Sequence, residues 1–516
     1  MVRYTIPAAV LAMSIGASAS LRKQVCSLIL PCTLHLLFAV QCEQILLLEF
    51  LCSYSIPMLW YQDSVLKSDN TVAHTKQATN FPKYIMNKMD GALKQNGNGN
   101  GNGNGNGRTS DSTSQGGRPS AVYTMTNQPT NEVIIHARDS ATGLLTFAGS
   151  VPTNGAGALV AAFPTDPTIS SDGIIVAGKC LLVCNAGSGD VSSFRIQSAE
   201  SIEFSDIISS GGGAPVSIAH NPATNTVYIA NQGDSGSIQA VNLNPGQCDF
   251  HYPQDPVIIN QDVDPSVFGY AKQIGLTPEG NLLVTTTPLG NPAVGLDNTV
   301  PLTASIYEYP LNSDGTIDPN FAVTSQSNGG PPFFTAHTAF AFDSFGRLLV
   351  GDVFGSSGAP GAPSDISVFE RNGDGTYTAS QPTIQMQDSF ACWVKYHPRN
   401  GCVAVGMTSP SGSVGMLRST EDGVEVVQDP AGTLLHAPLD LNFSDDGRFM
   451  YALGPELTSD TSFTGGSGEP VIWVFEVNDD CTLQQLEANA DGFPSALSRF
   501  ISDGVLNGMW GLAVYN

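Results

Sequence analysis

The sequence predicts an all-β chain built from repeated four-stranded antiparallel sheets, and three observations lead there. The first is composition. Of 516 residues, 41% are hydrophobic and 13% charged, with 54 Gly and 33 Pro; a large core with many turns suits many short strands better than a few long helices. The second is a phrase: "APLDLNFSDDGRFMYALG" at 437–454 places two apolar alternating runs around a tight turn. The third is its return, in "GRPSAVYTMTN" (117–127), "AGKCLLVCNAG" (177–187), "PATNTVYIANQG" (222–233), "PEGNLLVTTTP" (278–288), "SFGRLLVGDVFG" (344–355) and "PRNGCVAVGM" (398–407). Anchored on the turn residue before each second run, the units fall at Ser120, Gly178, Thr224, Gly280, Gly346, Gly401 and Gly447. Seven units at intervals of this size predict a seven-bladed β-propeller.

The elements follow in chain order. Residues 1–20 have Arg3, an apolar run from Ile6 to Ile15 and the small residues Ala17-Ser18-Ala19, the layout of a secretory signal peptide. Residues 21–95 begin with a strongly apolar stretch, Cys26 to Trp60, interrupted by Pro31, Gln41, Glu43 and Glu49. No window there makes a clean membrane span of ~20 residues. A membrane anchor, a pro-segment and sequence absent from the mature protein, such as a retained intron, are the three readings, and the last suits it best. Residues 96–118 hold an (Asn-Gly) tract with nothing to bury, a flexible tether. The propeller is expected over 119–516.

Inside each unit the order repeats: a first strand ("VSIAHNP", "TAFAFDSFG"), the turn, a second strand, then a third ("GSIQAVNL", "SDISVFER"). Most units end in a hairpin of the type "NSDGTI", "NGDGTY" or "NDDCTL", where Asp and Gly provide the turn chemistry. At the chain ends, "GMWGLAVY" (508–515) is a first strand lacking a second, and "AVYTMTN" (121–127) a second strand lacking a first. The C-terminal strand is therefore expected to complete the N-terminal blade and close the ring, removing two open edges.

The units "AFAFDSFGRLLVGDVFG", "ACWVKYHPRNGCVAV", "APLDLNFSDDGRFMYAL" and "NAGSGDVSSFRI" resemble the seven-bladed lactonase-type propellers with YVTN-type repeats, grouped with 6-phosphogluconolactonase and fungal 3-carboxymuconate cyclase. The resemblance covers roughly 120–516 and bears on fold more than on reaction. It implies a secreted enzyme that hydrolyses or forms a lactone ring on a small organic or sugar acid.

Such a reaction needs a proton carrier and a cation beside the substrate carboxylate. In a four-stranded blade the start of the first strand and the end of the second meet at one mouth of the channel. Three long connections (287–303, 354–365 and 454–470) rise on that side. His337 and His436 are the proton carriers expected there, with Lys272 as the cation. Asn154, Asn185, Asn231, Ser389, Trp393 and Asp440 are the expected substrate contacts. No motif calls for a cofactor, but Asp352, Asp388 and Glu456 offer oxygen ligands for a divalent cation. His220 and His397 fall at the opposite face, His136 on an outer strand and His251 in a loop.

Charge limits the partners. The chain carries −25, and the region from 118 onward −28, from 12 basic and 40 acidic side chains, so nucleic acid is excluded as a partner. The first strands bring no arginine to the mouth, which sets this chain apart from phosphosugar-handling members of the family. A monomer is expected. The second reading is a non-catalytic propeller binding a cell-surface or wall component, with the (Asn-Gly) tract as its stalk. Ten cysteines include no C-x-x-C; Cys392 and Cys402 flank one hairpin and could pair across it, whereas Cys180 and Cys184, ~13 Å apart along one strand, cannot. Asn442-Phe443-Ser444 is an acceptor sequon. No phosphate loop, Gly-x-Ser-x-Gly elbow or His-Glu-x-x-His stretch is present, which excludes serine-triad and zincin hydrolysis.

Overall fold

The computed structural model describes residues 120–158, 171–233, 236–251, 254–259, 270–287, 304–326, 337–352, 364–387, 391–407, 412–431, 438–455, 470–486 and 510–515. The leader, the apolar segment, the tether and most of the three long connections lie outside them. So do His436, Asp388, Ser389 and Glu456.

Seven antiparallel sheets follow one another along the chain. Blade 1 holds β1 (Ala121–Met125), β2 (Glu132–Arg138) and β3 (Leu145–Pro152). Blade 2 is β4 (Ile174–Ala177), β5 (Cys180–Asn185), β6 (Asp190–Ser198) and β7 (Ser201–Ser209). Blade 3 is β8 (Pro215–Asn221), β9 (Thr226–Asn231), β10 (Ser237–Asn244) and β11 (Asp249–His251), with β12 (Val257–Ile258) also on β10. Blade 4 is β13 (Tyr270–Leu276), β14 (Leu282–Thr287), β15 (Ala304–Tyr309) and β16 (Ala322–Gln326). Blade 5 is β17 (His337–Phe342), β18 (Leu348–Asp352), β19 (Asp365–Arg371) and β20 (Tyr377–Ala379), with β21 (Ile384–Gln385) also on β19. Blade 6 is β22 (Ala391–His397), β23 (Cys402–Met407), β24 (Ser413–Thr420) and β25 (Gly423–Gln428). Blade 7 is β26 (Asp440–Phe443), β27 (Phe449–Pro455), β28 (Pro470–Val477) and β29 (Leu483–Gln485).

The last strand, β30 (Trp510–Tyr515), pairs antiparallel with β1, from Ala121↔Tyr515 to Met125↔Trp510. Blade 1 thus has the order β3-β2-β1-β30, and the ring closes as expected. The predicted turns are present too: Gly178, Gly280, Gly346, Gly401 and Gly447 all have left-handed φ, and in blade 3 the left-handed residue is Asn225, one place after the expected anchor.

Second strands such as β5, β9 and β23 are buried at every residue, because both of their faces pack against neighbouring blades. One such layer joins Leu182 and Val191 of blade 2 to Val227, Ile229 and Val241 of blade 3. Polar groups then latch blade to blade. Disulfides Cys180–Cys248 and Cys402–Cys481 tie blades 2 to 3 and 6 to 7. Both run from the first residue of a second strand to a left-handed residue in the hairpin between the next blade's third and fourth strands, Cys248 at φ 62° and Cys481 at φ 65°. The expected Cys392–Cys402 pairing is incorrect. Cys402 bonds across the blade junction, and Cys392 is a buried free thiol, as is Cys184.

The same place in other blades carries other chemistry. The Tyr228 hydroxyl donates to the Gly315 carbonyl at 2.7 Å, and the Tyr451 hydroxyl to the Gly143 carbonyl at 3.0 Å. Arg138 Nε donates to Tyr451 at 2.6 Å, so the closing junction, blade 7 to blade 1, has a cation in it. Between blades 4 and 5, the buried Glu308 carboxylate accepts from Arg371, from the Tyr377 hydroxyl at 2.6 Å and from Asn281 at 2.7 Å. Between blades 5 and 6, Arg347 bridges Asp343 at 2.7 Å, Ser419 Oγ at 2.7 Å and the Thr420 carbonyl at 2.6 Å.

Candidate functional site

The inner strands determine what faces the channel and its mouth. Register places His337, first in β17, opposite Asp352, last in β18, and Pro215 opposite Asn231, so the two strand ends do share a face. Not every expected residue there is available to a substrate. Asn185 is fully buried, and its carbonyl oxygen accepts from Asn131 at 2.9 Å and Thr153 at 2.7 Å. Its NH2 donates to Asp190 at 2.7 Å and Ser192 at 2.8 Å, which saturates the amide and fastens blade 1 to blade 2. Asn231 is also fully buried, donating to the Ser210 carbonyl at 2.8 Å and to Ser237 Oγ at 3.1 Å. Trp393 lies in the apolar core with Val414 and Leu441. Asn154 is exposed, at φ 64°. Lys272 is fully buried, and its backbone carbonyl accepts from Ser171 N–H at 3.2 Å.

His337 is fully buried, and among the described residues neither ring nitrogen has a hydrogen-bond partner. Its ring meets Phe369 edge-on at 6.3 Å. Burial pulls its pKa down to about 4, so it is a neutral imidazole at physiological pH. Of the residues expected to hold a metal, only Asp352 is described, and it is buried. Among the described residues no three His, Cys, Asp or Glu side chains group as a metal site.

Deeper in the channel lies a cluster that sequence reasoning found only in part. Lys395, from the middle of β22, forms an ion pair with Asp172 Oδ1. Asp172, just before β4, has left-handed φ of 61°. Its other oxygen accepts from Gln273 Nε2 at 2.7 Å, and Gln273 Oε1 accepts from Phe340 N–H at 2.6 Å. Asp440, at the start of β26, accepts from its own neighbour Leu441 N–H at 2.8 Å and from Leu512 N–H of the closing strand at 2.7 Å. Burial pushes the Asp440 pKa up to about 7, Lys395 opposes that rise and Asp172 adds to it. Burial works against the Lys395 charge, yet Asp172 and Asp440 together raise its pKa above the ordinary lysine value.

Five inner or near-inner segments therefore converge here, from blades 2, 4, 5, 6 and 7, with blade 1 supplying the Leu512 donor. Asp440 is among the substrate contacts expected from the sequence; Lys395, Asp172 and Gln273 are not. The available signal was a lone lysine inside the apolar run "CWVKYH", since a charge in a propeller's innermost strand has only the channel or a buried partner to face. His397 bonds the Asp445 carbonyl at 3.0 Å in the turn opposite the mouth, as expected, whereas His251 belongs to β11 and not to a loop.

Comparison with known proteins adds to the fold alone. No family model and no curated protein matches the chain. A crystal structure from Lactobacillus plantarum superposes with a TM-score of 0.50 at 13% identity, covering 77% of this chain and all of that one. A Bacteroides fragilis protein provisionally named a 6-phosphogluconolactonase gives 0.47 at 15% identity, covering 77% of this chain and 98% of its own. A periplasmic gluconolactonase from Pseudomonas aeruginosa gives 0.48 at 15% identity, covering 77% and 99%. The fold and site define a seven-bladed β-propeller with a charged polar cluster across its channel.

Proposed function

We propose that the protein is a secreted lactone-handling enzyme, opening or closing a lactone ring on a small organic or sugar acid within the central channel. The observation that carries this is the Lys395 ammonium ion-paired with Asp172, both in partial contact with water, and under the electrostatic influence of the buried Asp440 carboxyl. Lactone opening places negative charge on the carbonyl oxygen and needs a proton moved near neutral pH. Asp440, titrating near 7, exchanges that proton, and Lys395 faces the developing charge. Two interblade disulfides support an oxidising, extracellular setting.

The test is a pH-indicator screen of lactones on the full chain, with Asp440→Asn and Lys395→Met as controls and with chelator. Turnover that both substitutions abolish, unaffected by chelator, is expected. Turnover indifferent to both substitutions would sink the roles of Asp440 and Lys395. The runner-up is a binding propeller for a surface component, favoured by one observation: arginines 138, 347 and 371 all serve blade junctions, leaving the channel cluster with more carboxylates than cations. No turnover on any lactone, together with retention on a wall or glycan preparation, would favour it.

A further inference from the structure

Asp172 sits as a ligand would. Its carboxylate reaches across the channel from blade 2 to donors on two other blades, Lys395 of blade 6 and Gln273 of blade 4. The Gln273 amide is turned for this task, because the Phe340 N–H occupies its oxygen and leaves the NH2 to donate. The backbone of Asp172 is held independently, by its own carbonyl accepting from Ile218 N–H at 2.9 Å and by the Ser171 N–H contact to Lys272. The carboxylate can therefore leave its donors without unthreading the chain. Side chains on both sides of the ion pair keep some water contact, 20% for Asp172 and 13% for Lys395.

We infer that Lys395 and Gln273 form a carboxylate cradle across the channel, filled by the protein's own Asp172, and that a small monocarboxylate anion is its exchangeable ligand. An ammonium paired with a planar amide NH2 from a second blade matches the two oxygens of one carboxylate, which is how Asp172 binds. A carboxylate is also the group that lactone opening creates, so on the reading above the cradle receives the acid product and Asp172 expels it. That last assignment rests on the proposed reaction; the cradle itself does not.

The experiment is calorimetric titration of the full chain with acetate, against sodium chloride at equal ionic strength. Asp172→Gly removes the internal carboxylate and suits the left-handed backbone at this position. It is expected to bind acetate at least about tenfold more tightly than the native chain, the size of one charge-assisted contact. Adding Lys395→Met should abolish the gain. Asp172→Ser, which loses the charge and is too short to fill the cradle, provides the same test if the glycine variant does not fold. A folded Asp172 variant with no gain in acetate affinity, or a gain that survives Lys395→Met, overturns the cradle. The absence of lactone turnover in the native chain bears only on the reaction, because this readout needs none.

Discussion

Charged groups are used in opposite ways at the blade junctions and in the central channel. At the junctions three arginines are matched by acceptors from two blades: Arg347 by Asp343, Ser419 and a carbonyl, Arg371 by Glu308 and the Asn372 carbonyl, Arg138 by Ser120 and Tyr451. In the channel the Lys395 ammonium pairs with one carboxylate, Asp172, and feels the charge of a second, Asp440, which stays partly protonated near neutrality. Matched, saturated groups lock a geometry. An unbalanced cluster in reach of water leaves room for an incoming group to complete it.

The largest expected effect breaks a junction. Arg347→Met strands the Asp343 carboxylate, whose side chain is 0% exposed, and should cost about 3–5 kcal/mol; denaturant unfolding measures it, and a loss below about 1 kcal/mol would show that the junction cations are dispensable. Next comes the covalent latch. Replacing Cys402 and Cys481 together by Ser should cost about 2–4 kcal/mol through the freed loop, their positions being 79 residues apart.

A third prediction sharpens the contrast from the channel side. Asp440 keeps its proton in the folded state up to about pH 7, against an ordinary value of 3.8, so the folded chain binds more protons than the unfolded one between those limits. Its contribution to stability is thus greatest below pH 4, falls as pH rises to about 7, and is level above. His337 runs the other way: with its pKa lowered to about 4 from 6.5, it costs stability as pH falls across that window. Asp440→Asn should therefore gain on the native chain from pH 4 to pH 8 in thermal melts, while His337→Phe should gain from pH 7 down to pH 4. A difference that does not change with pH would contradict the burial of these groups. The smallest effect is Tyr228→Phe, which removes one neutral hydrogen bond to the Gly315 carbonyl and should cost about 1 kcal/mol.

The blade count, the strand order and the returning C-terminal strand were legible because they rest on local alternation and turn chemistry, which repeat. The disulfides were legible only through comparison of repeats. "NSDGTI", "NGDGTY" and "NDDCTL" share one hairpin: Asn312, Asn372 and Asn478 donate to Thr316, Thr376 and Thr482, and the left-handed residue is Gly315, Gly375 or Cys481. Cys481 of blade 7, at a glycine's place in the turn, reaches Cys402 of the neighbouring blade 6, so pairing Cys402 with Cys392 inside blade 6 was the wrong geometry. The channel cluster was illegible for a different reason. Its members come from five blades, and the order of strands around a ring determines that they meet, with no spacing along the chain to announce it. Asn442 illustrates the same limit, since its sequon lies in innermost β26 with the amide bonded to the Leu512 carbonyl at 3.3 Å, out of reach of a glycosylating enzyme once folded.

The returning strand also has a consequence for biosynthesis. Blade 1 needs β30, so a ribosome must release residues 510–515 before the sheet that β1 begins is complete. Until then β1 offers a bare edge to any other nascent chain, and Asp440 lacks the Leu512 N–H that holds it. A chain that stops before residue 510 would leave both the ring and the channel cluster unfinished, so this one short segment couples closure of the fold to completion of the site.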